Sequence, residues 1–547
     1  MLSPYFCISI TKQPFSLSGT IIFKYFCLAC LLNVSILPLF RNPPSIGTSC
    51  FNTLKSQHHL SVLLLLILLG ACQKERFTTS PEEVLSFSTD TLRFDTVFTE
   101  LGSATRILKV YNPHSQSIRI SKINLEKGSQ SKFRLNVDGI PGNSHENVVI
   151  APNDSLYIFA EVTINPDEPL SSSPFVLNES IEFETNGVAQ SVTLEAWGQN
   201  ANYIPSRFYA DSITLFGCNG GEVVWNDPKP YVIYGVVAFD DCTLRIPAGT
   251  RIYVHGGLTR FVNTTGEIGY YNDGILAFTG NGRLIVEGTK ENPVVFEGDR
   301  IEPEFMEEPG QWTGIWLQAG TRNHQIEHCI IRNSIVGIRV DSAANLSIKN
   351  SRIYNTASSG LVGVHAEINA ENCLFYDNTG FSIQLEYGGD YSFNYCTAAS
   401  YGVDGEAVKL GNTICLDAAC ENYSLYRLNA LFKNCILFGS RADQFSLVDR
   451  EDNPANFNYR FENCIVRVKD LIKPNAWPDF LDHCQPCLNL DFRDTIFVNP
   501  NEDNYYLDTL HSKANGYGVP LPGILKDLDE QDRDPIRPDI GCYELRI

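Results

Sequence analysis

The sequence has few basic side chains and almost no methionine. Lys and Arg number 42 against 63 Asp and Glu, which gives a formal net charge of −21. A protein that binds nucleic acid or anionic lipid needs a basic face, so this balance argues against both classes. Charged residues make up only 19% of the chain and hydrophobic residues 43%, which excludes a disordered chain. Two Met, 40 Gly and 11% aromatic residues favour a β-rich protein, and 547 residues suggest two to four domains.

Long hydrophobic runs are also missing, with one exception near the N-terminus. Residues 60–69 are nearly all Leu, Ile and Val, a run too short for a transmembrane helix and typical of a signal peptide. The run ends in Leu69-Gly70-Ala71-Cys72, which resembles the lipobox of bacterial lipoproteins. That resemblance implies lipidation of Cys72 and an outer-membrane lipoprotein of the cell envelope, on its periplasmic or its outer surface. The alternative is a cleavable signal peptide with an incidental Cys.

The first fifty residues fit poorly with a signal peptide. They are apolar and contain no Asp or Glu. We therefore expect residues 1–50 to reflect a start codon assigned too far upstream, with the true start near Asn52. Residues 1–71 are then the signal region, and residues 72–81 a tether.

Residues 82–200 alternate apolar and polar side chains, with turns at short regular intervals. This period of two predicts a β-sandwich. The motif Val-Tyr-Asn-Pro at 110–113, followed by Ser-Ile-Arg-Ile at 117–120, resembles the Hydin-type immunoglobulin-like family. The resemblance implies a spacer or adhesion module. Residues 201–212 are predicted to be a linker.

Residues 213–470 contain a repeat of about 22 residues, which predicts a solenoid. Its anchor positions are Cys329, Ser351, Cys373, Cys396, Cys435 and Cys464, and the first four are separated by 22, 22 and 23 residues. The Leu framework of leucine-rich repeats is missing, so a parallel β-helix fits better. We expect the anchors to point inward, and about 12 coils to form a rod about 55 Å long. Asn350, Asn372, Asn434 and Asn463 are predicted to stack at one turn.

Two further stretches resemble known β-helix proteins. The segments 244–250, 284–289, 292–296 and 311–315 follow one another as in the opening of right-handed parallel β-helix repeat lipoproteins, which have the pectate-lyase-like fold. The segment Asp-Ile-Gly-Cys-Tyr-Glu at 539–544 resembles the ending found after many such β-helices. The second resemblance implies that residues 471–547 form a C-terminal cap, which would cover the open sheet edges of the last coil.

Cysteines outside the inward anchors include two pairs that are close in sequence and a third, more distant pair. Possible disulfides are Cys415–Cys420, Cys484–Cys487 and Cys218–Cys242, since export would remove the cytosolic reductants. His483 beside Cys484 and Cys487 also suggests a zinc site. A structural zinc ion is bound by four ligands, however, and no second Cys/His pair lies close in the sequence. We therefore predict no metal site, and a disulfide or free thiols at this position.

Catalytic motifs of β-helix polysaccharide enzymes are not found in order in this chain. The best remaining cluster of ionisable residues is Glu386, Asp390, Asp404, Glu406 and Lys409, on two adjacent predicted coils. Carboxylates and an amine on one face would suit Ca²⁺ binding by a lyase, or acid–base catalysis by a hydrolase. The alternative is a solvated charged face on an acidic rod.

Aromatic residues crowd the same coils and suggest a surface for sugar rings. Tyr376, Tyr387, Tyr391 and Tyr401 are candidates for stacking on a glycan. The alternative is that about half of these side chains fill the interior, as strand alternation requires.

The sequence thus predicts an all-β protein in which an immunoglobulin-like β-sandwich precedes a right-handed parallel β-helix with a C-terminal cap. We expect a lipid-anchored, non-catalytic binding or structural module, with the membrane reached through the lipid and no nucleic acid or cofactor bound. A polysaccharide or an envelope protein is the expected partner. The first alternative is a polysaccharide lyase or glycoside hydrolase with its site near 386–409, which would use Ca²⁺ if it is a lyase. The second is an adhesin that binds protein partners.

Overall fold

The computed structural model describes most of the chain after the N-terminal region. The described residues are 76–98, 105–163, 175–199, 201–205, 213–262, 268–301, 305–451, 453 and 455–545. The predicted signal region, Cys72, residues 73–75 of the tether and residues 206–212 of the linker lie outside them. Within the described ranges, no helix combines the length and the apolar character needed to cross a membrane.

Residues 86–199 form two five-stranded sheets with one common core. The strands are β1 Ser86–Phe87, β2 Thr91–Phe98, β3 Arg106–Tyr111, β4 Ile118–Leu125, β5 Phe133–Val137, β6 Ile140–Pro141, β7 Ser144–Ile150, β8 Ser155–Val162, β9 Phe175–Thr185 and β10 Val188–Gln199. Their orders are β1-β3-β8-β5-β6 and β2-β10-β9-β4-β7. The predicted alternation is confirmed in β4, where Ile118, Ile120 and Ile123 are buried and Arg119 and Lys122 are exposed. The apolar sides of both sheets bury each other.

The rest of the described chain is also built mainly from short strands. They are β11 Asn202–Ile204, β12 Ile213–Gly217, β13 Glu222–Val224, β14 Tyr231–Tyr234, β15 Val236–Asp240, β16 Thr243–Pro247, β17 Arg251–His255, β18 Leu258–Val262, β19 Ile268–Asn272, β20 Ile275–Thr279, β21 Arg283–Glu287, β22 Val294–Gly298, β23 Gly314–Leu317, β24 His324–Glu327, β25 Cys329–Arg332, β26 Ile338–Val340, β27 Asn345–Lys349, β28 Arg352–Thr356, β29 Leu361–Glu371, β30 Leu374–Asn378, β31 Ile383–Asn394, β32 Thr397–Ser400, β33 Val408–Gly411, β34 Thr413–Cys415, β35 Tyr423–Leu425, β36 Leu428–Lys433, β37 Ile436–Gly439, β38 Phe445–Val448, β39 Phe457–Glu462, β40 Cys464–Val466, β41 Cys487–Asn489, β42 Phe497–Asn499 and β43 Asn504–Leu507. Short 3₁₀ helices are Gly128–Gln130, Pro478–His483 and Pro500–Glu502.

Strands β11 to β41, apart from two hairpins, form a parallel β-helix with three faces. Face A is one parallel sheet in the order β11-β14-β17-β22-β25-β28-β30-β32-β37-β40-β41. Face B consists of β12, β15, β20, β23, β26, the first halves of β29 and β31, β33 and β38. Face C consists of β13, β16, β21, β24, β27, the second halves of β29 and β31, β36 and β39. Because β29 and β31 run through the corner, faces B and C join into one sheet.

The β-helix has fewer coils than the 22-residue repeat led us to predict. Faces B and C each have nine strands in the described residues, whereas about 12 coils were expected. A spacing of 21 to 23 residues holds in the first coils, around the anchors 329 to 396 and between Cys464 and Cys487. Elsewhere the hairpins β18–β19 and β34–β35 and the segment between β22 and β23 lengthen a coil without adding a strand to any face.

The inward position of the cysteine anchors is confirmed. Cys329, Cys373, Cys396, Cys435 and Cys464 are free thiols with 0–1% exposure. Burial raises the pKa of each thiol well above its ordinary value, so the groups stay neutral. They act as small apolar side chains in the core.

The predicted asparagine stack exists as a row of backbone turns, and only in part as a row of amide bonds. Asn350, Asn372, Asn434 and Asn463 all have φ between 49° and 52°, the left-handed region that asparagine tolerates best after glycine. The Asn372 amide donates to Asn350 Oδ1 at 3.0 Å. Tyr395 occupies the next position and interrupts the row.

The C-terminal segment lies along a flank of the β-helix and not over its last coil. Its side chains Tyr505, Ile540 and Tyr543 share one cluster with Tyr376 and Phe438 on the outer side of face A. Only the first part of the predicted cap, residues 471–547, covers the end of the β-helix, and residues 490–545, which we call the C-terminal segment, cover a flank instead. The outer side of face A is apolar in these coils and needs a cover, and the C-terminal segment provides it.

The first part of the predicted cap closes the end of the β-helix. The 3₁₀ helix Pro478–His483 places Phe480 in the main core, 4.9 Å from the ring of Phe445 and 5.6 Å from that of Phe461. The last coil is thus covered by the insertion before β41.

Two of the three possible disulfides are present in the structure. Cys218 is bonded to Cys242 and Cys415 to Cys420. Cys484 and Cys487 are free thiols, so the third bond is not formed. The reason is the register of face A, in which Cys487 lies directly after Cys464 and extends the row of anchors.

Candidate binding face of the β-helix

The predicted ionisable cluster is divided between two faces. Glu386 and Lys409 lie on face B and form an ion pair, with 2.5 Å between the Lys409 nitrogen and Glu386 Oε1. Asp390 lies on face C, where its Oδ1 accepts a bond from Asn429 at 3.3 Å. The separation arises because β31 turns the corner at Tyr387, which has a φ of 60°.

The other two carboxylates of this cluster precede β33. Glu406 pairs with Arg441 at 3.3 Å, and the same guanidinium donates to the backbone oxygen of Asp404 at 2.8 Å. Of the four predicted carboxylates, only that of Glu386 contacts Lys409, so the cluster does not converge into one site. Calcium takes six to eight oxygens, and no group of three or more metal-binding side chains occurs in the described ranges. These residues do not fit the calcium site of a lyase.

Two of the four tyrosines predicted to stack on a glycan are buried, as the alternative of interior rings expected for about half of them. Tyr376 and Tyr391 are 8% and 4% exposed. Tyr391 lies in the core and donates to the Gly388 oxygen at 2.8 Å. Tyr376 lies under Tyr505 of the C-terminal segment, with 5.0 Å between the ring centres.

The remaining two tyrosines are partly buried. Tyr401 packs against the rings of Phe497 and Tyr505, with centres 6.0 and 6.3 Å away. Tyr387 forms the corner between faces B and C, and its backbone oxygen lies 3.1 Å from His365 Nδ1. Neither ring belongs to an open row of aromatic side chains.

A row of outward side chains on face B was missed by the sequence reasoning. Trp316, Arg339, Val362, Gln384 and Lys409 occupy one register position on five successive strands. We call these five residues the face B column. At the usual strand separation the column is about 19 Å long. Because Ile315 and Leu317 are buried, the alternation rule already places Trp316 outward.

Both ends of the face B column combine a cation with an aromatic ring. Arg339 lies 5.4 Å from the centre of the Trp316 ring, and Lys409 lies 5.5 Å from that of Phe381. Such contacts hold long side chains in place on a surface. The column therefore offers ordered aromatic and polar groups to a ligand.

Each charged group of the face B column has a partner of opposite sign. Asp341 accepts bonds from Arg339 Nε at 2.8 Å and from the Trp316 indole. Lys409 is paired with Glu386. The local charge is balanced, and both carboxylates are engaged in holding the cations. This arrangement suits a neutral ligand better than a polyanion.

A second pair of carboxyl groups lies on the flank of face A. Burial and the hydrogen-bonded Asp503 raise the pKa of Asp377 to about 7. A raised carboxyl pKa is a mark of general acids. However, the two carboxyls of a glycosidase are separated by roughly 5–10 Å to admit sugar or water. Asp377 and Asp503 are bonded to each other, so their geometry does not match.

Replacing Asp377 with Asn should stabilise the protein above pH 7. The folded-state pKa is raised, so ionisation of Asp377 costs stability progressively from about pH 4 to about pH 7, and that cost persists above it. We expect D377N to gain about 1–2 kcal/mol at pH 8, a value reduced for solvent screening, and nothing at pH 4. Urea unfolding of both proteins at pH 8 and at pH 4 measures this difference in the free energy of unfolding.

The exposed Asp404 supplies the control for this measurement. Asp404→Asn removes one negative charge without touching the pair, and should leave the pH dependence of stability unchanged. A D377N protein that is less stable than the unmodified chain at pH 8 would show that Asp377 is ionised and favourably paired.

Comparison with known families finds one match. The family model described as the right-handed β-helix region matches residues 271–427. No curated protein matches this chain at a significant level. The family match agrees with the parallel pairing of the strands in that part of the chain.

Likeness to solved structures is weak. A protein of unknown function from Porphyromonas gingivalis W83 is 11% identical, with 23% of this chain and 50% of that chain covered and a TM-score of 0.17. A family 123 glycoside hydrolase from Clostridium perfringens is 13% identical, with 24% and 26% covered and a TM-score of 0.16. This chain thus spans half or less of the length of these two structures.

A third solved structure covers more of the chain. The catalytic unit of a GH87 α-1,3-glucanase from Streptomyces thermodiastaticus strain HF3-3 is 9% identical, with 66% of this chain and 72% of that chain covered and a TM-score of 0.20.

Proposed function

We propose that this protein is a lipid-anchored component of the bacterial cell envelope that holds a neutral glycan on face B without cleaving it. The observation that carries the proposal is the face B column, about 19 Å long, in which aromatic, amide and paired charged groups lie on either side of the 6% exposed Val362. Sugar rings stack on aromatic faces and take hydrogen bonds from such groups.

The non-catalytic part of the proposal rests on how the acidic groups are used. Glu386 and Asp341 are bound to Lys409 and Arg339, so neither is a free acid or base beside the column. Asp390 lies on the other face. A hydrolase would need two carboxyl groups on either side of a bound sugar.

The anchoring part of the proposal rests on the sequence. The lipobox ending at Cys72 attaches the chain to the outer membrane. The two sheets of residues 86–199 act as an immunoglobulin-like spacer that carries the β-helix away from the lipid.

Replacing Trp316 with Ala should weaken glycan retention about tenfold, which corresponds to about 1.4 kcal/mol. The change removes the largest apolar surface of the column and the ring under Arg339. The protein from residue 73 onward would be passed over immobilised neutral polysaccharides and polyuronates with added Ca²⁺, and retention and new chain ends recorded together.

Tyr157→Ala is the matched control, because this ring is 44% exposed on the sandwich, away from face B. It should leave retention unchanged. If the purified protein still produced new unsaturated or reducing chain ends in the polysaccharide, the non-catalytic proposal would be contradicted. Equal retention by W316A and the unmodified chain would remove face B as the binding site.

A further inference from the structure

A cavity of about 460 Å³ opens at the end of the β-helix. It lies between the last coil and the 3₁₀ helix Pro478–His483 that closes this end. Face B leads to it, because β38 ends at Val448 and the next residue, Asp449, lines the cavity. Its size is within the range of roughly 300–1,000 Å³ that small-molecule sites usually have.

The wall of this end cavity is aromatic. Phe457 and Tyr459 belong to β39, the last strand on face C in the described residues, so no later coil covers their inward rings. Trp477 packs 5.7 Å from Phe457, and His483 stacks 4.2 Å from Tyr459, measured between ring centres. Phe457 and Tyr459 are only 3% exposed, so the partly exposed Trp477 ring that packs on Phe457 gives the cavity an apolar side of the kind on which a sugar ring stacks.

The rim of the end cavity is polar and carries unused hydrogen-bonding capacity. Asp449 Oδ1 accepts bonds from the backbone amide of Arg450 at 2.8 Å and from Asn412 Nδ2 at 2.8 Å, while its Oδ2 has no partner among the described residues. Within the same ranges, the side chains of Arg450 and Asp479 and the indole nitrogen of Trp477 are also without partners. The rim thus offers both donors and acceptors.

The histidine of the end cavity has a defined role in hydrogen bonding. His483 Nδ1 lies 3.0 Å from the backbone oxygen of Tyr459, which can only accept, so Nδ1 carries the proton. In the neutral ring Nε2 is then an acceptor for a ligand hydroxyl. The two carboxylates and one guanidinium leave the cavity slightly negative, which disfavours an acidic sugar.

We infer that the end cavity binds the terminal one or two sugar units of the neutral glycan that face B holds. This inference rests on the proposed function for the polymer and adds a separate subsite for its end. Trp477 supplies the stacking surface, while Asp449, Asp479 and His483 accept bonds from sugar hydroxyls and Arg450 donates.

Binding of neutral disaccharides to the whole protein from residue 73 tests the inference. A panel of glucose, galactose and mannose disaccharides would be titrated while calorimetry and indole fluorescence are recorded. We expect one or more of them to bind, Trp477→Ala to weaken that binding at least tenfold, and Trp477→Phe to retain most of it. Asp479→Asn, an exposed residue without a structural bond, should cost severalfold and controls for misfolding of W477A.

Trp316→Ala separates this inference from the proposed function. It should weaken retention of the polymer and leave unchanged the part of disaccharide binding that W477A abolishes. Polymer retention without any disaccharide binding, or disaccharide binding unaffected by both W477A and D479N, would overturn the end subsite and leave face B standing. Failure to bind any polymer or disaccharide would overturn both.

Discussion

Replacing Arg533 with Ala is expected to destabilise the attachment of the C-terminal segment by about 3–5 kcal/mol, the cost of leaving buried charges unpaired. The Arg533 side chain is 2% exposed. Its Nη2 donates to Asn372 Oδ1 at 2.9 Å and to the Gly541 oxygen at 3.0 Å, and its guanidinium lies 3.9 Å from the Tyr395 ring centre. One side chain therefore joins the C-terminal segment to two coils.

The loss extends to the acidic groups around Arg533. Glu544 lies 3.3 Å from the guanidinium, and burial already raises the pKa of both Glu544 and Asp539. Without the cation these carboxyls would have to take up protons or be exposed to water. The effect of R533A should therefore be largest at pH values at which both carboxyl groups are ionised, and smaller in acid.

Limited proteolysis and chemical denaturation measure this effect. We expect R533A to release fragments from residues 490–545 first, with the β-helix core still resistant. Arg533→Lys keeps the charge but loses the planar set of donors, so it should show an intermediate effect. If the C-terminal segment of R533A resists protease as well as that of the unmodified chain, Arg533 does not hold it in place.

Replacing Phe432 with Ala is expected to cost about 3–5 kcal/mol in the stability of the β-helix. The side chain is fully buried, and its ring lies between those of Phe393 and Phe461 at 4.7 and 5.2 Å. The change leaves a cavity in the middle of a stack that runs through three coils. In a solenoid each coil contacts only its neighbours, so the coils after Phe432 should loosen first.

Hydrogen exchange along the chain checks the position of the defect. Amides of β36 and β39 should lose protection before those of β22 to β28. Phe432→Leu leaves a smaller cavity than Phe432→Ala and should therefore cost less. Leu510→Ala, at a side chain that is 83% exposed, should have almost no effect. Uniform loss of protection in all coils would contradict nearest-neighbour coupling.

The β-helix itself was predictable because its pattern is local. Strand alternation, the recurrence of Cys329, Cys373 and Cys396, and the left-handed turns at Asn350 and Asn372 each depend on a few adjacent residues. The number of coils was less predictable, because an inserted hairpin lengthens the chain without changing the pattern of the strands around it.

The candidate site depended on contacts that no local pattern contains. Tyr376 alternates outward as predicted, but Tyr505, far along the chain, covers it. Glu386 and Asp390 are close in sequence and separate in space, because β31 bends between them.

The amino-acid order alone specified an all-β chain with a parallel β-helix, since burial and backbone conformation follow from neighbouring residues. The placement of the C-terminal segment, the end cavity and the paired charges of face B arose only on folding. The Arg533–Asn372 bond joins residues 161 positions apart, and the Tyr395–Val519 bond joins residues 124 apart. Such contacts are selected by the shape and charge of surfaces that exist only once the coils have stacked.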